Sequence, residues 1–226
     1  ALNLAAARRA KANASFDHAR TFFRIGVALL DEEAWRADYA LIFLLTLGLL
    51  ESASLAGEGD EADRLFSTLL ERAASRLDRG RVYLTRIALY SQADRYGEAI
   101  ALGRRALAEF GLHIPERPTR LQLLAEWLKL PPGARSPAGL MHLGPANDPE
   151  LRIVMDIIFA LGVATYVNNP DLMSFLALRS CRITAEAGVF QQVTILDKED
   201  ERVGVGGAPN FMASVSEPPF DAFRFV

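Results

Sequence analysis

The side chains best suited to catalysis or metal binding are three histidines and one cysteine, and they are scattered along the chain. His18, His113 and His142 fall in different segments, without ligand spacing between any two of them. A protein metal site needs several donors that converge on one point, and this pattern indicates no such group. Cys181 has no partner in a Cys-x-x-Cys pattern, which favours a small buried residue over a nucleophile. We therefore predict no catalytic, cofactor-binding or metal-binding residue and no enzyme activity in this chain.

Two polar stretches near the C-terminus resemble ligand-binding loops only in part. The run VGVGGAPN, residues 203–210, lacks the Gly-Lys-Ser/Thr ending of a phosphate-binding loop and a strand before it. The run DKEDERVG, residues 197–204, has its glycine and its last glutamate out of place for a calcium loop. We interpret the first run as a turn-rich loop and the second as a run of solvent-exposed charges.

The overall charge and composition limit the classes of partner. The chain has 226 residues, a formal net charge of -3 and a pI near 5.7, which gives no electrostatic basis for binding nucleic acid. A single cysteine fits a reducing compartment, and the N-terminus lacks a secretory signal, so we expect a cytoplasmic location. A hydrophobic content of 50% is enough for a substantial core.

The most apolar segment, Ala37 to Gly57, is predicted to be a buried helix and not a membrane span. Its apolar run from Ala40 to Leu50 covers about half of the roughly 20 residues that a span requires. Glu51 falls where a span would have to continue. We therefore expect a soluble protein in which one helix, from about Trp35 to Ala56, is central to the core.

Small or apolar residues recur at a four-then-three spacing in three places, roughly 40 residues apart, and each set begins with an alanine. Each set lies on the second helix of a predicted pair. The sets are Ala19, Phe23 and Gly26; Ala62, Phe66 and Leu69; and Ala99, Gly103 and Ala106. A small residue at this position lets paired helices approach closely, as in tetratricopeptide-type repeats. A plain helical bundle can show the same spacing by chance and stays the alternative.

The predicted fold is all-α, with degenerate tetratricopeptide-like helical hairpins in an α-solenoid. The hairpins occupy residues 1–130, and residues 131–149 form a Pro/Gly-rich connection. Residues 150–188 add a further helical pair, which opens at Asp148 and Pro149. Residues 189–226 lack a helical period and contain short β-prone runs, so a non-helical tail is expected there.

Four phrases carry a resemblance to a known family: AAARRAKANASFDHA, Trp35 followed by DYAL, LAGEGDEAD, and YSQADRYGEAIALGRRALAEFGLHIP. A later one, LMHLGPANDPELRIVMDIIFALGVATYVNNPDLMSFLALRSC, extends it to about residue 188. The chain resembles the helical region of very large bacterial and fungal signalling kinases. In these, a protein-kinase-like domain and a STAND-class AAA ATPase module precede tetratricopeptide-like helices, and GAF and histidine-kinase domains follow. The resemblance implies packing roles and no catalytic residue, and residues after Gly188 depart from it.

We therefore expect a non-catalytic scaffold that mediates protein–protein or interdomain contacts in a signalling ATPase or kinase. Its partner would be a protein, either a neighbouring domain or a peptide segment, with no cofactor, nucleic acid or membrane. The residues predicted to form the partner-binding surface are Arg8, Asp17, Arg20, Arg24, Tyr83, Arg86 and Tyr90. The alternative is a small-molecule-sensing regulatory domain with a pocket between helices near Trp35, Phe43, Trp127 and Phe159.

Overall fold

A computed structural model of the protein describes residues 2–13, 15–30, 32–135 and 144–188. These residues are mostly helical and contain no β-strand, in agreement with the predicted all-α class. The predicted tail, the two polar runs within it, and residues 136–143 of the Pro/Gly-rich connection, which include His142, lie outside the described residues. The helices are α1 (Leu2–Ala12), α2 (Phe16–Ala28), α3 (Ala34–Ala37), α4 (Tyr39–Leu55), α5 (Gly59–Arg72), α6 (Arg76–Gln92), α7 (Tyr96–Glu109), α8 (Arg120–Lys129), a 3₁₀ turn (Pro132–Arg135), α9 (Pro149–Ala160), α10 (Gly162–Asn168) and α11 (Pro170–Ala187).

The starts of α9 and α11 follow the same local rule. Asp148 precedes α9, and its carboxylate accepts hydrogen bonds from the backbone N–H groups of residues 150 and 151. Asn169 precedes α11 and accepts from the N–H of Leu172. In both cases a proline occupies the first helical position, where its missing N–H costs nothing. The predicted start at Asp148 and Pro149 is confirmed.

The central apolar helix is interrupted near its start. The expectation of one helix from about Trp35 to Ala56 is wrong at Asp38, whose non-helical backbone (φ -143°, ψ 60°) separates the short helix α3 from α4. The Asp38 carboxylate accepts a hydrogen bond from the N–H of Leu41 and so caps α4. The predicted end is confirmed, because Gly57 adopts the left-handed φ of 81° that favours glycine after a helix.

Helices pack mainly with their neighbours in the chain. Close pairs are α1 with α2, α4 with α5, and α6 with α7, while α9 continues into α10 and both contact α11. The first helices of these pairs also contact one another in chain order, α1 with α4, α4 with α6, and α6 with α9. Helix α8 stands apart from this order and packs against α11.

The recurring small residues lie at helix contacts, as their spacing predicts. Ala19, Ala62 and Ala99 are all fully buried. A Cβ atom added at Gly103 of α7 would lie 2.5 Å from a methyl group of Leu161, so these helices meet at a distance that only glycine permits. The recurring four-then-three spacing therefore marks positions at which helices pack against one another.

Buried apolar side chains form one large cluster and a smaller N-terminal one. The smaller cluster joins α1, α2 and α4 through Ala7, Ala19, Phe23, Leu45 and Leu49, and the larger cluster extends from α4 to α11. Helix α4 contributes to both, which explains why it is apolar on nearly every side. Within the described ranges, no helix has the length and apolar character needed to cross a membrane.

Candidate partner-binding surface

The predicted surface residues Arg20 and Arg24 bind acidic side chains of the same chain. Arg20 forms an ion pair with Glu58, and Arg24 Nη2 lies 2.6 Å from Glu61 Oε2 and 3.2 Å from Glu58 Oε2. The hydrogen bond to Glu61 is the main cause that raises the pKa of Arg24 above its ordinary value. These contacts tie α2 to the start of α5. Much of the hydrogen-bonding capacity of both arginines is therefore used inside the molecule.

Asp17 and Arg8 lie in two different environments. The Asp17 side chain is 87% exposed in the first turn of α2, where a carboxylate interacts favourably with the helix dipole. Arg8 is half-buried on α1. The structure therefore leaves Asp17 accessible to a partner and makes Arg8 partly a packing residue.

The expectation that Arg86 faces a partner is wrong. Its side chain is only 5% exposed, because its position on α6 points toward α4 and α5. Nη1 donates to Ser54 Oγ at 3.0 Å, and Nη2 pairs with the carboxylate of Asp63. The guanidinium groups of Arg86 and Arg95 each contact the ring of Tyr90, 4.6 Å from its centroid. Arg86 is thus a buried link between three helices, and Tyr90 is half-buried beside it.

Tyr83 is also buried, so its predicted place on the surface is wrong. Its ring is fully enclosed, and its hydroxyl donates to Glu109 Oε1 at 2.5 Å. The same carboxylate accepts two hydrogen bonds from Arg79, at 2.7 and 2.9 Å. The bidentate arginine is the first cause that lowers the pKa of Glu109, and burial is the first cause that raises the pKa of Tyr83. This network fastens α6 to the end of α7.

Accessible side chains instead follow one stripe on each of two first helices, which we call the first-helix face. Its members are Ala40, Leu44, Leu47 and Glu51 on α4 and Arg81, Thr85, Ala88 and Gln92 on α6, all of them exposed or half-exposed. Each series follows the spacing of four and three residues that marks one side of a helix. Lys11 Nζ lies 2.6 Å from Glu51 Oε2 and brings α1 to the edge of this face. On α6 the signal was present in the sequence as the polar complement of the buried periodicity, whereas α4, which is apolar on nearly every side, gave no such signal.

The aromatic residues predicted to line a pocket are divided between separate helix contacts. Trp35 and Phe43 both pack against Tyr39, with ring centroids 6.1 and 5.5 Å away. Trp127 lies on α8, which packs against α11, and Phe159 is half-buried on α9. The structure therefore does not support the alternative prediction, which requires these four aromatic residues to surround one cavity.

A shallow depression lies where α4 turns into α5. It is lined by polar and charged residues, namely Gly57, Glu58, Gly59, Asp60, Glu61 and Arg64. Small-molecule sites are usually enclosed and mainly apolar. The depression therefore gives no support to the small-molecule alternative.

The histidines within the described ranges sit in solvent-exposed positions. His18 Nδ1 lies 2.7 Å from Ser15 Oγ at the start of α2, and His113 follows α7. Among residues 2–13, 15–30, 32–135 and 144–188, no group of three or more histidine, cysteine, aspartate or glutamate side chains could hold a metal ion. Cys181 is half-buried, and burial raises the pKa of its thiol, which lowers its reactivity.

Comparison with known proteins gives one weak link. No protein-family profile matches the chain, and no solved structure matches it. The hybrid signal transduction histidine kinase G of Dictyostelium discoideum is 25% identical over an alignment of 122 residues, and the match covers 50% of this chain. The matched region is 4% of the length of that protein. The chain is thus similar to a short segment of a much larger signalling kinase.

Proposed function

We propose that the chain is a non-catalytic helical-repeat scaffold that binds a protein partner. The observation that carries the proposal is the chain-ordered contact of the first helices, α1 with α4, α4 with α6, and α6 with α9. In a helical-hairpin array each repeat packs on its neighbours, and the first helices line one continuous side. The buried small residues on α2, α5 and α7 support the same arrangement.

The first-helix face suits a peptide or a protein domain as partner. It combines apolar positions such as Leu44 and Leu47 with Glu51 and Arg81, which carry opposite charges. Mixed surfaces of this kind recognise extended or helical peptide segments by side-chain pockets and a few hydrogen bonds. With a net charge of -3, the chain offers no general attraction to nucleic acid.

The partner that we propose is a kinase or ATPase domain of the same signalling system. Support comes from the similarity to a segment of a histidine kinase. In this setting the helical array would transmit the position of one domain to another, without a cofactor and in the cytoplasm.

The test is a binding experiment with paired surface variants. Sequencing the DNA on either side of this coding segment would identify any adjoining kinase or ATPase domains. The affinity of the purified chain for each of these domains is then measured by calorimetry. Arg81→Glu on α6 should weaken binding at least ~10-fold, because it reverses a charge within the proposed interface.

The matched control is Arg64→Glu, the same change at an exposed position on α5, outside the first-helix face. It should leave the affinity unchanged. Failure of every domain to bind, or equal loss in the two variants, would contradict the proposal.

A further inference from the structure

Helix α8 carries apolar side chains on two opposite sides. On its inner side Leu123 packs against the large apolar cluster, and Glu126 pairs with α11. On its outer side Leu121, Leu124 and Leu128 are 78%, 42% and 59% exposed. A helix that packs on one side normally presents polar residues to solvent on the other. We call these three leucines the α8 stripe; they form an apolar surface that the packing against α11 does not use.

The spacing of the α8 stripe is that of a seam between two helices. Its leucines follow one another at intervals of three and four residues, which corresponds to positions a, d and a of a heptad. Such a stripe is narrower than the apolar face of a helix that lies on a lipid surface, which is usually also rich in aromatic residues. Trp127, the aromatic residue of α8, is half-buried and lies outside the stripe. The geometry therefore favours a second helix over a membrane.

Uncompensated positive charge lies at the N-terminal end of the α8 stripe. Arg117 and Arg120 are exposed, and neither forms an ion pair within the part of the chain that the structure describes. The neighbouring acid, Glu116, is 81% exposed and lies 3.8 Å from Arg104. With Leu121 at position a, Arg120 occupies position g, which in a helix pair faces a charged position of the partner. An acidic residue on the partner helix would therefore pair with Arg120.

A second copy of the chain is a poor occupant for the α8 stripe. The three leucines expose roughly 300 Å², less than half of the ~800 Å² that each partner buries in a standard interface. The ends of the stripe also carry cations, Arg117 and Arg120 at one end and Lys129 at the other. Like charges of two copies would therefore meet in either orientation. A stripe of this size and charge suits a weak, reversible contact with one helix of opposite charge.

We infer that the α8 stripe binds an acidic amphipathic helix of a partner protein. The partner helix would present apolar residues at the same spacing of three and four, with glutamate or aspartate at the flanking positions. Its apolar residues would cover the leucines, and its carboxylates would pair with Arg117 and Arg120. Since α8 does not belong to the first-helix face, this contact is separate from the one in the proposed function.

A synthetic peptide supplies the probe for this contact. It consists of three heptads with leucine at a and d and glutamate at e and g, and the glutamates oppose its pairing with itself at pH 7.5. Calorimetry with the full chain should show saturable binding of this acidic peptide. The same peptide with lysine at e and g should bind at least ~10-fold more weakly. No saturable binding of the acidic peptide below ~1 mM, or equal affinity for the two peptides, would overturn the inference.

Charge reversal tests the role of the arginines. Arg120→Glu should weaken binding of the acidic peptide at least ~10-fold and strengthen binding of the lysine peptide, because it reverses the charge beside the seam. Arg64→Glu on α5 and Arg81→Glu on the first-helix face are the matched controls and should change neither affinity. Equal loss in all three variants, or no loss in Arg120→Glu, would contradict the assignment.

A change in the stripe itself tests the apolar contact. Leu121→Gln should weaken binding of the acidic peptide at least ~5-fold, because a polar group replaces an apolar side chain that the partner covers. Leu29→Gln is the matched control, since Leu29 of α2 is 72% exposed and lies on another helix. An equal effect of the two substitutions would count against the stripe as the binding surface.

Measurements on the unmodified chain distinguish the other occupants. In NMR titration with the acidic peptide, the backbone amide signals of residues 120–129 should shift, and shifts confined to other helices would overturn the inference. Analytical ultracentrifugation should show no dimer; a dimer that Leu121→Gln disrupts would assign the stripe to a second copy instead. The chain should not sediment with phosphatidylserine vesicles, and sedimentation that Leu121→Gln abolishes would assign the stripe to a lipid surface and overturn the protein partner.

Discussion

Individual polar side chains in this protein hold neighbouring helices together. Arg86 connects α6 to Ser54 of α4 and Asp63 of α5, and Tyr83 connects α6 to Glu109 of α7. Buried hydrogen bonds to charged groups contribute more than neutral ones, and an unpaired buried partner is costly. These side chains therefore define the relative position of the helices, while the apolar core supplies most of the stabilisation.

Loss of the Tyr83 hydroxyl should have a measurable cost. Tyr83→Phe removes one donor from Glu109 but leaves both hydrogen bonds from Arg79, so we expect the free energy of unfolding to fall by about 1 kcal/mol. Tyr166→Phe is the matched control, since Tyr166 is 69% exposed. Urea denaturation measures both variants, and an equal effect would contradict the role of the hydrogen bond.

Asp156 gives the protein a pH dependence of known sign. Loss of hydration raises the pKa of Asp156 from 3.8 to about 6, against a smaller opposite effect of Arg152. The folded state thus holds this proton more tightly than the unfolded chain does. The contribution of Asp156 to the free energy of unfolding must therefore fall as the pH rises from about 4 to about 6.

Asp156→Asn should remove this penalty. At pH 7.5 we expect the free energy of unfolding of the variant to be higher by about 1–2 kcal/mol. The whole shift in the pKa of Asp156 would correspond to ~3 kcal/mol, and the expected gain is smaller because this carboxyl group is only partly buried. At pH 3.5 the difference should vanish. Asp17→Asn, at a side chain 87% exposed, should show no comparable gain. Thermal denaturation of the variants between pH 3.5 and pH 7.5 measures this difference. A gain in stability of Asp156→Asn that persists at pH 3.5 would contradict the raised pKa of Asp156.

At the scale of helices, close approach is the main constraint on residue choice. Gly103 of α7 leaves room for Leu161, and Gly48 of α4 leaves room for the ring of Phe23, where an added Cβ would lie 2.3 Å from the ring. Packed interiors tolerate added volume poorly. Each glycine therefore determines how near two helices lie.

Two glycines of α7 allow a direct test of this constraint. Gly103→Ala places a methyl group against Leu161 and should destabilise the protein by about 1–3 kcal/mol. Gly97→Ala, on the same helix with no atom within 4 Å of its added Cβ, should stabilise it by about 0.5–1 kcal/mol through helix propensity. Effects of the same sign in both variants, measured by urea denaturation, would count against the close contact.

The sequence predicted the helices and their buried faces better than it predicted the exposed ones. The spacing of Ala19, Ala62 and Ala99 identified contact positions correctly, because burial imposes a period on residue type. Arg86 and Tyr83 were placed on the surface because a polar side chain carries no mark of the partner that buries it. The burial of Glu126 on α8 gave no signal in the sequence for the same reason, since its partner Arg179 lies on α11, more than fifty residues further along the chain.

At the scale of the whole molecule, stability should be distributed unevenly. The N-terminal cluster of Ala7, Ala19, Phe23, Leu45 and Leu49 is much smaller than the cluster that extends from α4 to α11. Regions with fewer buried apolar contacts open at lower free energy. Helices α1 and α2 should therefore open more readily than α6 and α9.

Hydrogen exchange can measure this difference residue by residue. We expect the amides of α1 and α2 to exchange at least ~10-fold faster than those in the middle of α6, which lies between α4, α7 and α9. Amides in the first turn of each helix serve as internal controls, because they lack helical hydrogen bonds in every case. Uniform protection across α1 to α9 would show that the chain opens as a single unit instead.

Contacts between α6 and α9 have a consequence for how the chain can be divided. Helix α9 follows the connection after α8, yet it packs against α6 and α7, and α11 packs against α8. Every one of these contacts joins residues before position 131 to residues after position 148. If a protease cut the backbone between α8 and α9, the two fragments should remain associated and elute together. Separately expressed halves with the same ends should reassemble when mixed.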